Sequence, residues 1–356
     1  MSGVASFPEL SLRRRPALFH ELLAHPFEQD VVAARFGDRR GWVVIDPADA
    51  RTLLRRRDVA KGRSAGSRGA VGGYPSLDGA AFHRGRSDVV VALSRASADQ
   101  TAMAASLAAT VGSSPPPRAQ APAAFTRWML HDLAGGDGPA VGLDLLTTGI
   151  AAASADAETA QAGTQRGRGA NDERAALVSA LTARAVDADT AFLSSLRASG
   201  WSTDRIVKEL VVLALAGWES TAAAVTTALA LGLGTDPGEA EISELLRLYP
   251  PSWLIVRELT GEEPWGSAGD LAVISPWLTH RSAAWHEPLR FDPNRTDAVA
   301  PLPFGSGPRR CPADLYARKQ ISVALGAFGG GEPHPARPAL IGRRSAALIP
   351  NQETTP

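Results

Sequence analysis

Apolar positions recur along most of the chain at the three-to-four-residue spacing of helices, and short strand-like runs are few. The longest helical pattern spans 203–233 and includes DRIVKELVVLALAGWESTAAAVTTALALGL. It is apolar almost all round, which predicts a helix threaded through the core. A shorter amphipathic pattern, GEAEISELLRLY, follows Pro237 and is stopped by Pro250 and Pro251. WLIVREL and LAVISPWL read as strands, as do Val43 to Ile45, after which Pro47 opens a helix. Another helix is expected from Ala313 to Ala327. The pattern is mainly α with small β-sheets.

Glycine, serine and proline punctuate this pattern. Residues 61–79 (KGRSAGSRGAVGGYPSLDG) predict a loop able to border a pocket, ending at a helix that starts near Asp78. SSPPPRAQAP at 113–122 separates helical material, and QAGTQRGRGANDE at 161–173 reads as a poorly ordered or surface stretch. Residues 290–311 are irregular. No internal repeat is present, and 1–356 reads as a single domain with flexible ends at 1–20 and 350–356.

Composition narrows the function classes. Of 356 residues, 44% are hydrophobic and 21% charged, enough for a large core. The 37 basic and 37 acidic residues cancel, so no global charge favours nucleic acid or an anionic membrane. The single cysteine excludes an internal disulfide, and the first residues lack an apolar stretch long enough for a signal peptide or anchor. A cytoplasmic, soluble protein is the expectation.

That cysteine carries the first chemistry. Cys311 lies in PFGSGPRRCPAD, where Gly305 and Gly307 permit turns that other residues resist. The following helix N-terminus is expected to lower the thiol pKa through its dipole. A lone cysteine is otherwise a small buried hydrophobe. Phe304, Gly307, Arg309 and Cys311 reproduce F-x-x-G-x-R-x-C, and on this loop the chain resembles the cytochrome P-450 family. The resemblance implies that fold, with its long central helix crossing a haem b (iron protoporphyrin IX) group. It makes Cys311 the axial ligand of the iron, places Arg309 at a haem propionate and lays Phe304 over the proximal face. Two departures are Pro312, which has no N–H to offer the sulfur, and Ala313 where the family usually has glycine.

Glu244 and Arg247 form E-x-x-R on one face of the helix before Pro250. Such a pattern alone is usually a solvated pair, and it recurs at Glu287 and Arg290, where Pro288 argues against a helical pair. The sequels RLYPP and FDPNR resemble the family's approach to the haem loop. They imply a buried structural triad of Glu244, Arg247 and Arg295.

AGWEST at 216–221 resembles the family's oxygen-binding segment. The resemblance gives Ala216 and Gly217 the role of leaving room over the iron. Glu219 and Ser220, with Thr221, become candidates to relay protons for O–O cleavage. The alternative is that the hydroxyls bond back to helix carbonyls and Glu219 faces water. Arg257 and Arg86 join Arg309 as candidate haem-carboxylate partners. In the segment AFHRGR, Phe82 stands where a hydrogen-bonding group would be expected. Trp218, Trp253 and Ile255 are candidate substrate contacts in an apolar pocket.

Family-like segments run from about residue 82 onward, strongest at 203–327, with a haem-binding core expected over 203–330. Residues 96–200 match weakly, which suggests missing helices. The implied activity is oxidation of a small organic molecule with O2, in secondary metabolism, using electrons from a separate ferredoxin or flavodoxin and its reductase. Arg310, Arg318 and Lys319 offer a local basic patch for that donor. Rival readings are a peroxide-using or oxidative-coupling haem-thiolate enzyme and a non-enzymatic recruitment module.

Overall fold

Helical spacing in the sequence becomes helix over much of the described part of the chain. The computed structural model describes residues 15–24, 30–36, 39–56, 73–77, 79–135, 142, 144–151, 168–341 and 345–351. Its helices are α1 (Arg15–Ala24), α2 (Pro47–Arg55), α3 (Gly79–Ala96), α4 (Gln100–Thr110), α5 (Ala121–Ala134), α6 (Arg168–Asp187), α7 (Ala191–Ala198) and α8 (Thr203–Gly217). They continue with α9 (Ser220–Ala230), α10 (Glu239–Leu248), the one-turn α11 (Pro276–Thr279) and α12 (Asp314–Phe328). Local chemistry sets several of the starts. The Asp46 carboxylate accepts the N–H groups of Ala48 and Asp49 ahead of α2, with Pro47 in the first turn. Ser202 accepts from the Arg205 N–H to open α8.

The strands are β1 (Val31–Phe36), β2 (Arg39–Val44), β3 (Ile255–Glu258), β4 (Leu271–Ile274), β5 (Ala336–Ile341) and β6 (Ser345–Pro350). The larger sheet has the order β1-β2-β4-β3, with β2 parallel to β4 and Val44 opposite Ile274. This pairing ties the N-terminal segment to the C-terminal half of the chain. β5 and β6 form an antiparallel hairpin. The main core is helical, and a second core under the sheet joins Phe19, Trp253 and Trp277, with Phe19 meeting both indole rings edge-on at 5.3 and 5.1 Å.

Four sequence expectations change. The expected flexible end at 1–20 contains the start of α1, because Phe19 finds an aromatic pocket and is buried there. At the other end Pro350 belongs to β6 and Asn351 donates its N–H to the Pro335 carbonyl. The polar stretch 161–173 is helical from Arg168 onward, with 161–167 outside the described residues. The weakly matching span 96–200 holds α4 to α7 and a helical segment at 144–151, so helices are present where absence was expected. The 61–79 loop lies largely outside the described residues, and α3 starts at Gly79 as read.

The long central run is interrupted at Trp218 and Glu219, which separate α8 from α9, and it ends at Ala230. Glu219 has φ −112° and ψ −21°, at the edge of the right-handed helical region, and its carboxylate accepts the Ser345 N–H of β6 at 2.9 Å. Further along, Thr227 accepts the Leu348 N–H at 3.0 Å. The hairpin edge is thus stitched to α9. Residues Thr203–Ala230 are long and apolar enough to cross a membrane, but 61% of that window is buried inside the fold. The stretch is the core helix.

Candidate functional site

The cysteine loop is shaped by two glycines in the left-handed region, Gly305 (φ +71°) and Gly307 (φ +69°). A Cβ on Gly307 would lie 2.2 Å from the Leu54 carbonyl oxygen, so the end of α2 rests directly on the loop. The loop closes where Cys311 donates its N–H to the Phe304 carbonyl at 2.9 Å. Its sulfur meets the Ala313 N–H at the entrance of α12. Burial nevertheless pushes the thiol up to about 11, outweighing that N–H and the Arg86 and Arg310 charges. The expectation that the loop alone makes a thiolate is therefore corrected. Ionisation needs a cation brought to the sulfur.

Cys311 lines a cavity of about 330 Å3, within the range of small-molecule sites. Phe304, Gly305, Ala313 and Tyr316 form the wall on the cysteine side. Ala216, Gly217, Ser220 and Thr221 come from α8 and α9, and Ile255 and Arg257 come from β3. Leu93 of α3 and Met129 of α5 also contribute, so the site extends beyond 203–330.

The charge of the cavity is one-sided. Arg309 and Arg257 line it, and no described lining residue is acidic. Burial, and then the neighbouring Arg309 charge, push Arg257 down to about 10. Arg309 stacks on Phe82, its guanidinium carbon 4.2 Å from the ring centre. Phe82 thus supports the cation through its ring face. Arg86 stands outside the lining, where Nη2 donates to the Arg310 carbonyl at 3.1 Å and buried Nε has no partner. Among the described residues no group of three or more His, Cys, Asp or Glu could hold a metal. A metal in this cavity would have Cys311 as its protein ligand and would need its other donors from a ligand.

Beneath the loop, Arg247 holds Glu244 with two hydrogen bonds of 2.7 and 2.8 Å, and Arg295 Nε reaches the same carboxylate at 3.2 Å. Glu244 and Arg247 are 4% and 1% exposed, so these charges are buried as a set. The second E-x-x-R also pairs, at 2.8 Å, but in an exposed turn where Glu287 has φ +43°. Fully buried His280 links the triad to the loop. Its Nδ1 lies 2.7 Å from the Arg247 carbonyl, and Nε2 accepts the Leu302 N–H at 2.7 Å. Burial pushes it down to about 3, so it is neutral, with Nδ1–H as the donor.

The structure separates other candidates. Trp253 packs in the second core against Phe19 and is not part of the cavity lining, to which β3 contributes Ile255 and Arg257. Trp218 packs at the edge of the main core outside the lining, and Glu219 turns to Ser345. Thr221 lines the cavity and donates to Gln320 Oε1 at 3.3 Å. Sequence reasoning missed His280, Gln320 and the Tyr316 to Asp132 hydrogen bond of 2.9 Å, since a lone residue on a buried face carries no spacing signal. The basic patch is largely spent internally. Arg310 pairs with Asp314, and Arg318 reaches Asp314 at 2.8 Å and Glu239 at 2.6 Å.

Comparison with known proteins agrees with this geometry. The cytochrome P450 family model matches residues 239–328, which contain the triad helix, the cysteine loop and α12. Cyclooctatin synthase of Streptomyces melanosporofaciens is 33% identical over 172 residues, covering 36% of this chain and 37% of the relative. Pentalenene oxygenase of Streptomyces avermitilis is 37% identical over 97 residues, covering 24% of this chain and 22% of the relative. The matches therefore span from about a fifth to a little more than a third of these curated relatives. A six-coordinated cytochrome P450 from Thermus thermophilus superposes with a TM-score of 0.68 at 20% identity, covering 95% of this chain and 99% of the other. The chain thus has the cytochrome P450 fold along nearly its whole length, and the family's model matches the segment that holds the cysteine.

Proposed function

We propose that the chain is a haem-thiolate monooxygenase that uses O2 to oxidise a small, largely apolar organic molecule. The observation that carries this is a cavity presenting one buried thiol and two arginines, without a lining carboxylate, to a helix break that bears Ser220 and Thr221. An apolar, dianionic, metal-bearing disc fits that donor set, and iron protoporphyrin IX has those properties. Cys311 would hold the iron, with Arg309, Arg257 and Arg86 taking the carboxylates and Phe304 packing on the face. Thiolate-ligated haem supplies dioxygen activation and O–O cleavage, favoured by electron density pushed from sulfur.

The remaining chemistry belongs to the chain. Ala216 and Gly217 leave space beside the helix break for the reacting molecules. Ser220 Oγ and Thr221 Oγ1 are the hydroxyls that the start of α9 brings to the cavity wall, able to hold and pass a proton, and Gln320 fixes the latter. Apolar walls exclude bulk water and favour an apolar substrate, in keeping with a relative whose name gives its substrate as pentalenene. Electrons would come from a separate ferredoxin or flavodoxin in the cytoplasm, within secondary metabolism. Because Arg310 and Arg318 are already paired, donor docking would rest on other groups as well.

A second reading, peroxide use, is favoured by Glu219, which is bonded to the Ser345 N–H and does not line the cavity. Turnover distinguishes the two. Product formed with O2, NADPH, a ferredoxin and its reductase supports the monooxygenase, and product formed only with hydrogen peroxide supports the second reading. No product from either, with apolar compounds that perturb the Soret band, contradicts both.

A further inference from the structure

Tyr316 stands five residues after Cys311 on α12, 2% exposed, and lines the cavity. Its phenol donates to Asp132 Oδ2 of α5 at 2.9 Å. Burial holds the Asp132 carboxyl up at about 6, against hydrogen bonds from Tyr316 and Ser106, and no charged neighbour contributes to that shift. Ser106 Oγ of α4 in turn lies 3.0 Å from Nδ1 of half-buried His131. The carboxylate therefore stands between a phenol facing the cavity and a serine–histidine pair on its outer side. Nothing in oxygen activation by Ser220 and Thr221 uses this arrangement.

A buried phenol that loses one electron becomes a strong acid, and a charged product would be costly in a low-dielectric site. Its oxidation is therefore feasible where a base accepts the proton in the same step. We propose that Tyr316 and Asp132 form a proton-coupled one-electron donor to the cavity, a role that rests on the haem reading above. After a hydroperoxide has oxidised the bound haem group, one electron passes to it from the phenol and the phenolic proton passes to Asp132 Oδ2. A neutral tyrosyl and a protonated carboxyl remain. A one-electron reductant restores the pair by returning an electron, and the proton moves back to the phenol oxygen.

The chain has three tyrosines, which makes assignment direct. Tyr249 lies beside Arg281, and Tyr74 packs on Phe82. The experiment is electron paramagnetic resonance of the full-length haemin-loaded protein, frozen shortly after mixing with hydrogen peroxide. A tyrosyl signal is expected in the wild type and in Tyr249→Phe, absent in Tyr316→Phe and reduced severalfold in Asp132→Asn. Each variant is first checked for an unchanged carbon monoxide spectrum and thermal midpoint. The Asp132→Asn arm separates proton transfer from packing, since asparagine still accepts the phenol hydrogen bond but cannot take its proton. An undiminished signal in Tyr316→Phe or Asp132→Asn overturns the proposal, as does no tyrosyl signal in a wild type showing the thiolate–carbon monoxide band. A wild type lacking that band fails at the earlier haem reading and takes this proposal with it.

Discussion

The guanidinium carbon of Arg309 lies 4.2 Å from the centre of the Phe82 ring, so an aromatic residue of α3 positions a cation of the cysteine loop. Replacing Phe82 by Leu keeps apolar bulk but removes the ring face. The loss is expected to cost about 0.5–1 kcal/mol from the cation–π contact, and to speed haem loss because Arg309 loses one of its supports. Urea unfolding and haem transfer to apomyoglobin measure the two effects.

The two E-x-x-R pairs should behave oppositely. Glu244→Gln leaves Arg247 and Arg295 buried around a neutral group and is expected to destabilise by about 3–5 kcal/mol. Glu287→Gln alters only an exposed pair and is expected to leave the denaturation midpoint unmoved. Equal effects in chemical denaturation would contradict the burial argument.

His280 gives a pH dependence of definite sign. Its pKa falls from 6.5 to about 3 on folding, so between those values the unfolded chain binds the extra proton. Its contribution is fully present above pH 6.5 and is lost as pH falls toward 3, by up to about 1.4 kcal/mol per unit. Asp132 and Glu209, pushed up by burial to about 6 and about 7, act with the opposite sign and lose stability as pH rises through those values. The difference between wild type and His280→Gln isolates the histidine. It should shrink steadily from pH 7 to pH 4 in denaturant titrations.

The loop glycines should also differ. Gly307→Ala forces a Cβ against the Leu54 carbonyl in a left-handed backbone, and is expected to abolish haem retention. Gly305→Ala, whose nearest neighbour would be Ile255 Cδ1 at 3.6 Å, carries only the conformational cost of about 1–2 kcal/mol. Haem content after gel filtration reads the contrast.

These residues also mark what the sequence could disclose. Helices with apolar periodicity, the loop around Cys311 and the Glu244 pair were legible, because their residues stand at short fixed spacings that one element holds together. The break at Glu219 was not, because the Ser345 N–H that its carboxylate accepts lies 126 residues away. Trp253 looked equivalent to Ile255 by strand alternation, yet Phe19 of α1 claims it. Phe82 looked like a defect until the fold laid Arg309 on its ring. Helix dipole reasoning favoured a Cys311 thiolate, and the larger opposing effect of burial appeared only with the tertiary structure.

The central claim is that Cys311 holds the haem iron. The most direct test is the carbon monoxide difference spectrum of the reduced, haem-loaded protein beside Cys311→Ala. The account predicts a strongly red-shifted Soret band in the wild type, lost in the variant. A wild-type band at the position of histidine-ligated or unligated haem, or the same band in both proteins, would contradict it.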